Sequence, residues 1–354
     1  MKKYLNNIIL LRFFCIILVV LGHSTFVYNG WSYDIKSSSF FFSSLCKYIY
    51  TFHMPLFMSI SGYLFYYNVV ELGQYDKKNN FVRKKAKRLL VPMILVFVFW
   101  SLPLRVITGY YYNIGLVHFK DVLFYIIKSL DLGHLWYLLI LFFFEMIAIN
   151  YYDWFENRKK HIKLIIVFIC SITSIIYYMF DNLLNYLFLK AMYLFVFFII
   201  GYFLRRNRSY FELKIKKQFV LICIGIHLIM LIMKFIIQNY IVYNDVFNEF
   251  LKHLLNFDIA VLVIIVMYYI CNRYSYLANN NGVRYISDKS MEIYLYHEPI
   301  IYIVIFCGKN LSNSIILVFL NFVISFFGAL IVAIIVKKIK IICKMIISHQ
   351  EHRS

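Results

Sequence analysis

The chain has 354 residues, of which 62% are hydrophobic and 20% aromatic, with only 15% charged and a mean hydropathy of +0.72. Soluble domains run near half apolar and a quarter charged, so this composition excludes an ordinary soluble protein and points to an integral membrane one. The formal charge of +20 invites a nucleic-acid reading, but the basic residues lie in short clusters between apolar runs, as the positive-inside rule requires, and nucleic acid is not an expected partner.

A membrane span needs about 20 mostly apolar residues. Ten segments qualify, at roughly 6–27, 46–67, 89–109, 134–152, 163–180, 186–204, 218–238, 253–271, 290–308 and 314–336. The expected fold is therefore all-α, a polytopic transmembrane helix bundle. It comprises one transmembrane domain, 1–340, and a short basic tail, 341–354. Lys2 and Lys3 before an apolar run resemble a signal peptide. The run is long, however, and Gly22-His23-Ser24 is a poor cleavage site, so a retained first span is expected.

Most of the 37 Lys and Arg fall near the N-terminus and in 77–88, 158–163, 205–217, 273–289 and 337–353, which are alternate connections. That asymmetry places both termini in the cytoplasm. Abundant Lys, Asn, Ile and Tyr suggest an AT-rich bacterial genome, hence a multi-pass protein of a bacterial cytoplasmic membrane. The connection 110–133 contains an apolar stretch at 122–130 with Lys120 and Lys128, read as an amphipathic helix at the interface. The seven cysteines are widely spaced and show neither a CxxC nor a Cys/His spacing, so no disulfide framework and no metal is expected.

The spans carry more polar residues than packing needs. Arg12 and His23 lie eleven residues apart on the first helix, about 1100° of turn, so they share one stripe. A buried ionisable residue in a membrane helix is costly and usually faces an interior site rather than lipid. His53 lies in the second span and Glu145 in the fourth, which His134 and Trp136 open at the outer interface. Lys190 and Asp258 are further candidates for charge pairing. The ninth span holds Glu292, His297, Glu298 and Pro299, and the proline is expected to kink or break it. His297 and Glu298 are helical neighbours pointing about 100° apart, so they are not expected to pair. Glu292 and the histidines at 118, 161, 349 and 352 are expected to be solvated.

Four features are similar to the membrane-bound acyltransferase family 3. They are Arg12 with His23, the FHMPLFMSISGYLF segment at 52–65, the basic stretch running into RLLVP at 88–92, and the paired GHLWYL (133–138) and IYLYHEP (293–299) segments. The resemblance covers nearly the whole chain and is to stand-alone members, without a hydrolase-like domain after the last span. It implies an acyl donor, usually acetyl-CoA, reached from the cytoplasm. It also implies an acceptor hydroxyl on a capsular, exopolysaccharide or lipid-linked glycan, with membrane lipids as surroundings.

The residues fit that chemistry. A sugar alcohol is a poor nucleophile until a base takes its proton, and imidazole titrates near working pH. His23 is therefore the expected general base, with a covalent acyl-imidazole as the alternative at the same residue. Coenzyme A carries several phosphate charges, for which Arg12 and the cluster of Arg83, Lys84, Lys85, Lys87 and Arg88 are candidates. Any cytoplasmic loop of this topology would also be basic. His53, Glu145, His297 and Glu298 are candidates for holding the acceptor or for structural support. The main rival is an exporter or flippase of lipid-linked or nascent polysaccharide. Transporters typically pair discontinuous helices in two halves, and Pro55, Pro92, Pro103 and Pro299 show no such pairing. A surface-glycan polymerase would be expected to carry a large outer loop with Arg-rich segments, which is not seen.

Overall fold

A computed structural model describes residues 5–29, 33, 35–75, 78–129, 131–158, 186–209, 211, 216–240 and 245–351. Among these the protein is all-helical. The principal helices are α1 (Asn6–Thr25), α2 (Phe40–Phe65), α3 (Lys78–Val96), α4 (Leu102–Ile107), α5 (Tyr110–Asn113), α6 (Phe119–Ser129) and α7 (Trp136–Glu156). They are followed by α8 (Tyr186–Arg206), α9 (Lys217–Tyr240), α10 (Asp245–Arg273), α11 (Asn281–Asp288), α12 (Ser290–Gly308) and α13 (Ser314–Glu351).

Seven helices among the described residues are long and apolar enough to cross a membrane: Asn6–Asn29, Lys78–Ile107, Phe119–Glu156, Lys217–Ile237, Phe250–Arg273, Ser290–Gly308 and Ser314–Ile339. Each coincides with one of the segments expected from the sequence. The segments expected at 46–67 and 186–204 are helical, as α2 and α8, but are not among those seven. In α2, Lys47, Thr51, His53, Ser59, Ser61 and three tyrosines dilute the apolar run. The segment expected at 163–180 lies outside the described residues, as does His161. Residues 122–129 of the stretch expected at 122–130 lie in α6, with Phe119, Phe124 and Ile127 exposed and Val122 buried. Of the kink or break expected at Pro299, the break is absent: α12 continues through it.

The chain forms two compact units. Unit 1 comprises Met1–Cys15, Tyr48–Pro92 and Tyr125–Arg284; unit 2 comprises Ile16–Lys47, Met93–Phe124 and Tyr285–Ser354. In unit 1, α9 and α10 pack as a hairpin, and α7 packs on α8. The backbones of α2 and α8 touch. A Cβ built on Gly62 would lie 1.9 Å from the Phe198 carbonyl oxygen, and one on Gly201 would lie 1.8 Å from that of Ser59. Only glycine permits so close an approach, and small residues at helix crossings are the usual device where lipid supplies no hydrophobic drive between helices. Phe65 then meets Phe81, Phe198 and Tyr202 at ring separations of 6.0, 5.8 and 6.5 Å.

Unit 2 is built on the α12–α13 hairpin, the most extensive helix pairing among the described residues. Val27, Tyr33, Ile301, Tyr302 and Ile305 form a buried cluster beside it. A backbone hydrogen bond of 2.9 Å from Lys36 N to Lys309 O ties the segment after α1 to the end of α12.

Gly201→Ala is expected to destabilise the protein by about 1–3 kcal/mol, the usual range for overpacking. Gly225→Ala, whose added methyl meets nothing within 4 Å, is expected to be neutral or slightly stabilising. Thermal unfolding midpoints of both variants in the same detergent check this; equal midpoints would contradict the close contact.

Candidate active site

The last turn of α1 carries His23 into unit 2, where its ring lies edge-on to that of His297, with centroids 5.1 Å apart and planes at 70°. His23 is half-buried and His297 fully buried. The His297 Nδ1 sits 3.0 Å from Ile293 O and 2.9 Å from Tyr294 O. A carbonyl oxygen can only accept, so Nδ1 carries the proton and Nε2 the lone pair of the neutral ring. Backbone carbonyls one turn back on α12 thus fix both the tautomer and the orientation of the imidazole facing His23. At this end of α1, Asn321 of α13 donates to Ser24 O at 3.2 Å, and Cys46 Sγ lies 3.6 Å from Gly22 O. These contacts hold the residues on either side of His23.

Beside His297, Glu298 is buried and accepts from the Tyr302 hydroxyl at 2.6 Å, one turn on. That hydroxyl in turn accepts from Arg105 Nε and Nη2, both at 3.1 Å, while Nη1 donates to Tyr111 at 3.3 Å. One phenol oxygen, giving one hydrogen bond and receiving two, therefore joins a buried guanidinium to a buried carboxylate. The Arg105 guanidinium also lies 4.8 Å from the Tyr110 ring centroid and 5.5 Å from that of Tyr302. Tyr33 closes the group by donating to Thr108 Oγ1 at 2.7 Å; the threonine's own proton goes to Leu104 O.

Sequence reasoning singled out His23, His297 and Glu298, all of which the structure gathers in unit 2. Arg105 falls within the segment expected to span at 89–109, and neither it nor Tyr302 was singled out. The i, i+4 spacing of Glu298 and Tyr302 on one helical face was the signal that could have found the pair.

The remaining candidates, apart from Glu292 of unit 2, belong to unit 1. Arg12 is half-buried on α1. Arg83 and Arg88 are exposed on α3, with Lys84 and Lys87. Lys85 differs from its neighbours: it pairs with the buried carboxylate of Glu145 on α7 and lies over the Phe81 ring. The cluster expected to face phosphate thus gives one member to the intramembrane acid that sequence left without an assigned partner. His53 is buried, its Nδ1 donating to Ile49 O at 2.8 Å, the same one-turn-back arrangement as His297. Lys190 lies over the Trp136 ring at 4.4 Å, and His134 is buried where an interfacial position was expected. Glu292, expected to be solvated, is half-buried and accepts from Lys289 at 2.9 Å.

Apolar helices of spanning length, with two imidazoles in ring contact inside one unit, define a multi-pass helical membrane protein with histidine at its polar centre. The family model described as "Acyltransferase domain" matches residues 5–338, and the chain belongs to this acyltransferase 3 family. It is also similar to the nodulation protein NolL of Mesorhizobium japonicum, with 37% identity over 97 residues; the match covers 26% of this chain and only 23% of that protein. No solved structure matches the chain.

Tyr302→Phe would leave the Arg105 guanidinium and the Glu298 carboxylate without the hydroxyl between them. Removing one partner of buried polar groups costs about 1–3 kcal/mol, more when they are charged. A lowered unfolding midpoint is expected, with a smaller loss for Thr108→Val; a Tyr302→Phe protein as stable as the parent would contradict the bridging role.

Proposed function

We propose that the protein moves an acyl group, acetyl as the first expectation, from cytoplasmic acyl-CoA to a hydroxyl of a capsular, exopolysaccharide or lipid-linked glycan. The reading places about ten spans in a bacterial cytoplasmic membrane, with both termini inside. The observation that carries it is the contact of His23 with the oriented His297 ring, in a chain of the acyltransferase 3 family.

In this reading a ring nitrogen of His23 takes the proton of the acceptor hydroxyl as its oxygen attacks the thioester carbonyl carbon. The tetrahedral intermediate collapses with cleavage of the C–S bond. The departing thiolate takes the proton from the His23 imidazolium, so the imidazole is regenerated and free CoA leaves. His297 positions His23: its own Nδ1–H is committed to the α12 backbone, so the ring is a fixed wall rather than a swinging one. Arg12, Arg83 and Arg88 face the donor's phosphates. Lys85 is assigned to Glu145 instead, and His53 and Glu145 support the helices around them. No step requires a metal.

Transfer of label from acetyl-CoA to crude surface glycan by purified protein tests the reading. General-base catalysis contributes about 10²–10⁴-fold, so His23→Ala is expected to lower kcat by that factor. Donor-only incubation separates the routes, because an acylated His23 peptide marks the covalent one. Wild-type transfer rates in His23→Ala would overturn the mechanism.

A further inference from the structure

The helical run from α3 into α4 contains a π-helical turn, Phe97–Ser101, closed by a hydrogen bond from Leu102 N to Phe97 O. Ser101 ends that turn. Its side chain is fully buried, and its hydroxyl has no hydrogen-bond partner. We propose that Ser101 is a catalytic residue whose O–H donates to the carbonyl oxygen of the acyl group as it is transferred; the inference rests on the acyl-transfer reading above and adds a residue to it.

Two observations set this hydroxyl apart. The first is its want of an acceptor. A serine or threonine inside a helix can donate to the carbonyl one turn back. Ser24, Thr25, Thr108 and Ser325 of the same unit all do so. Ser101 does not, and the carbonyl four residues before it, Phe97 O, takes the N–H that closes the π turn. Burying a hydroxyl without a partner is destabilising. Single π turns inside α-helices are rare and frequently mark functional sites. Ser287, a second buried hydroxyl of unit 2 without an acceptor, lies on α11, before α12 begins.

The second is position. The π turn and α4 both pack on α12. Trp100 donates through Nε1 to Tyr296 O at 3.4 Å, and Arg105 reaches the Tyr302 hydroxyl at 3.1 Å. The two helices therefore run in the same direction, with residue numbers climbing together. Ser101 follows Trp100 as His297 follows Tyr296, which sets the serine level with the imidazole that meets His23. Ser101 and Arg105 are four residues apart, so the serine shares the helical face that the arginine turns toward α12.

Acyl transfer needs a donor of this kind. As the acceptor oxygen attacks, the π pair of the carbonyl moves onto its oxygen, which is negative in the tetrahedral intermediate. A fixed donor aimed at that oxygen stabilises the charge where it forms, most strongly where water is excluded. The Ser101 proton stays on its own oxygen throughout. When the C–S bond breaks, the pair returns to re-form the carbonyl, and His23 passes its proton to the thiolate as above. Other buried donors beside α12 are already committed: Tyr302 to Glu298, Tyr33 to Thr108, Thr108 to Leu104 O, and His297 Nδ1 to the backbone. The hydrogen bond that Ser101 lacks at rest is the one it makes in the transition state.

Transfer kinetics of the full-length protein with acetyl-CoA and with its dithioester analogue, in which C=S replaces C=O, test this. Thiocarbonyl sulfur is a poor hydrogen-bond acceptor, so the parent is expected to be slower with the dithioester. Ser101→Ala is expected to lower kcat with acetyl-CoA about 10²-fold while donor KM is retained. It is also expected to remove most of the difference between the two donors and to keep or raise the unfolding midpoint, since no existing hydrogen bond is lost. Ser101→Cys, close in volume and a weaker donor, is expected to fall between the two and serves should the alanine variant fold poorly. Parent kcat in both variants, or a rate loss with the donor ratio unchanged, overturns the inference and leaves the His23 mechanism standing. Acyl label trapped on Ser101 after incubation with donor alone also overturns it, in favour of a covalent route. Parent protein that transfers nothing from acetyl-CoA overturns the acyl-transfer reading itself, and this inference with it.

Discussion

The Tyr302 hydroxyl stands between a buried guanidinium and a buried carboxylate, and unit 2 is arranged around satisfying all three. Charges taken out of water are tolerated only when paired and hydrogen-bonded. Arg105 from α4 and Glu298 and Tyr302 from α12 meet that requirement, and tyrosine rings pack against the guanidinium faces. Because Glu298 follows His297 directly, locking the carboxylate to Tyr302 also fixes the stretch of α12 that presents the imidazole. The backbone carbonyls of Ile293 and Tyr294 set that ring from the other side. His23 therefore meets a partner whose rotation and tautomer are already decided.

Unit 1 solves the same problem with ion pairs and close backbone packing. Glu145 is met by Lys85, and Glu71 by Arg205 with bidentate geometry. The glycines at 62 and 201 let α2 and α8 approach until backbone meets backbone, which places Arg205 within reach of Glu71 and Tyr63. Among the basic residues of this unit, Lys85, Arg205 and Arg206 are paired with carboxylates, while Arg83, Lys84, Lys87 and Arg88 are exposed on α3.

Much of the fold was legible because its causes are local. Apolar run length marks a spanning helix, and seven of the expected segments correspond to helices of spanning length. His23 and His297 stood out because an imidazole in such a run demands an explanation. What stayed hidden depends on contacts between distant segments. Arg105 was one cation inside the segment expected at 89–109, and Tyr302 was one of 32 tyrosines. Lys85 was indistinguishable from its basic neighbours, and only tertiary packing selects it for Glu145. Pro299 was expected to kink or break its helix; α12 is not broken there, since packing can hold a helix together across one missing N–H. The Glu298 carboxylate reaches Tyr302, four residues on.

Family membership and the imidazole pair together support a picture in which histidine chemistry occurs inside a helical unit that holds a buried guanidinium and a buried carboxylate. Its central claim is that His23 and His297 act as one device. A double-mutant cycle on the single-turnover acyl-transfer rate tests this most directly, because residues that act as a unit lose rate non-additively. The account predicts that His23→Ala/His297→Ala is no slower than His23→Ala alone, with each single variant impaired. Losses that multiply independently, or a His297→Ala protein at the parent rate, would contradict it.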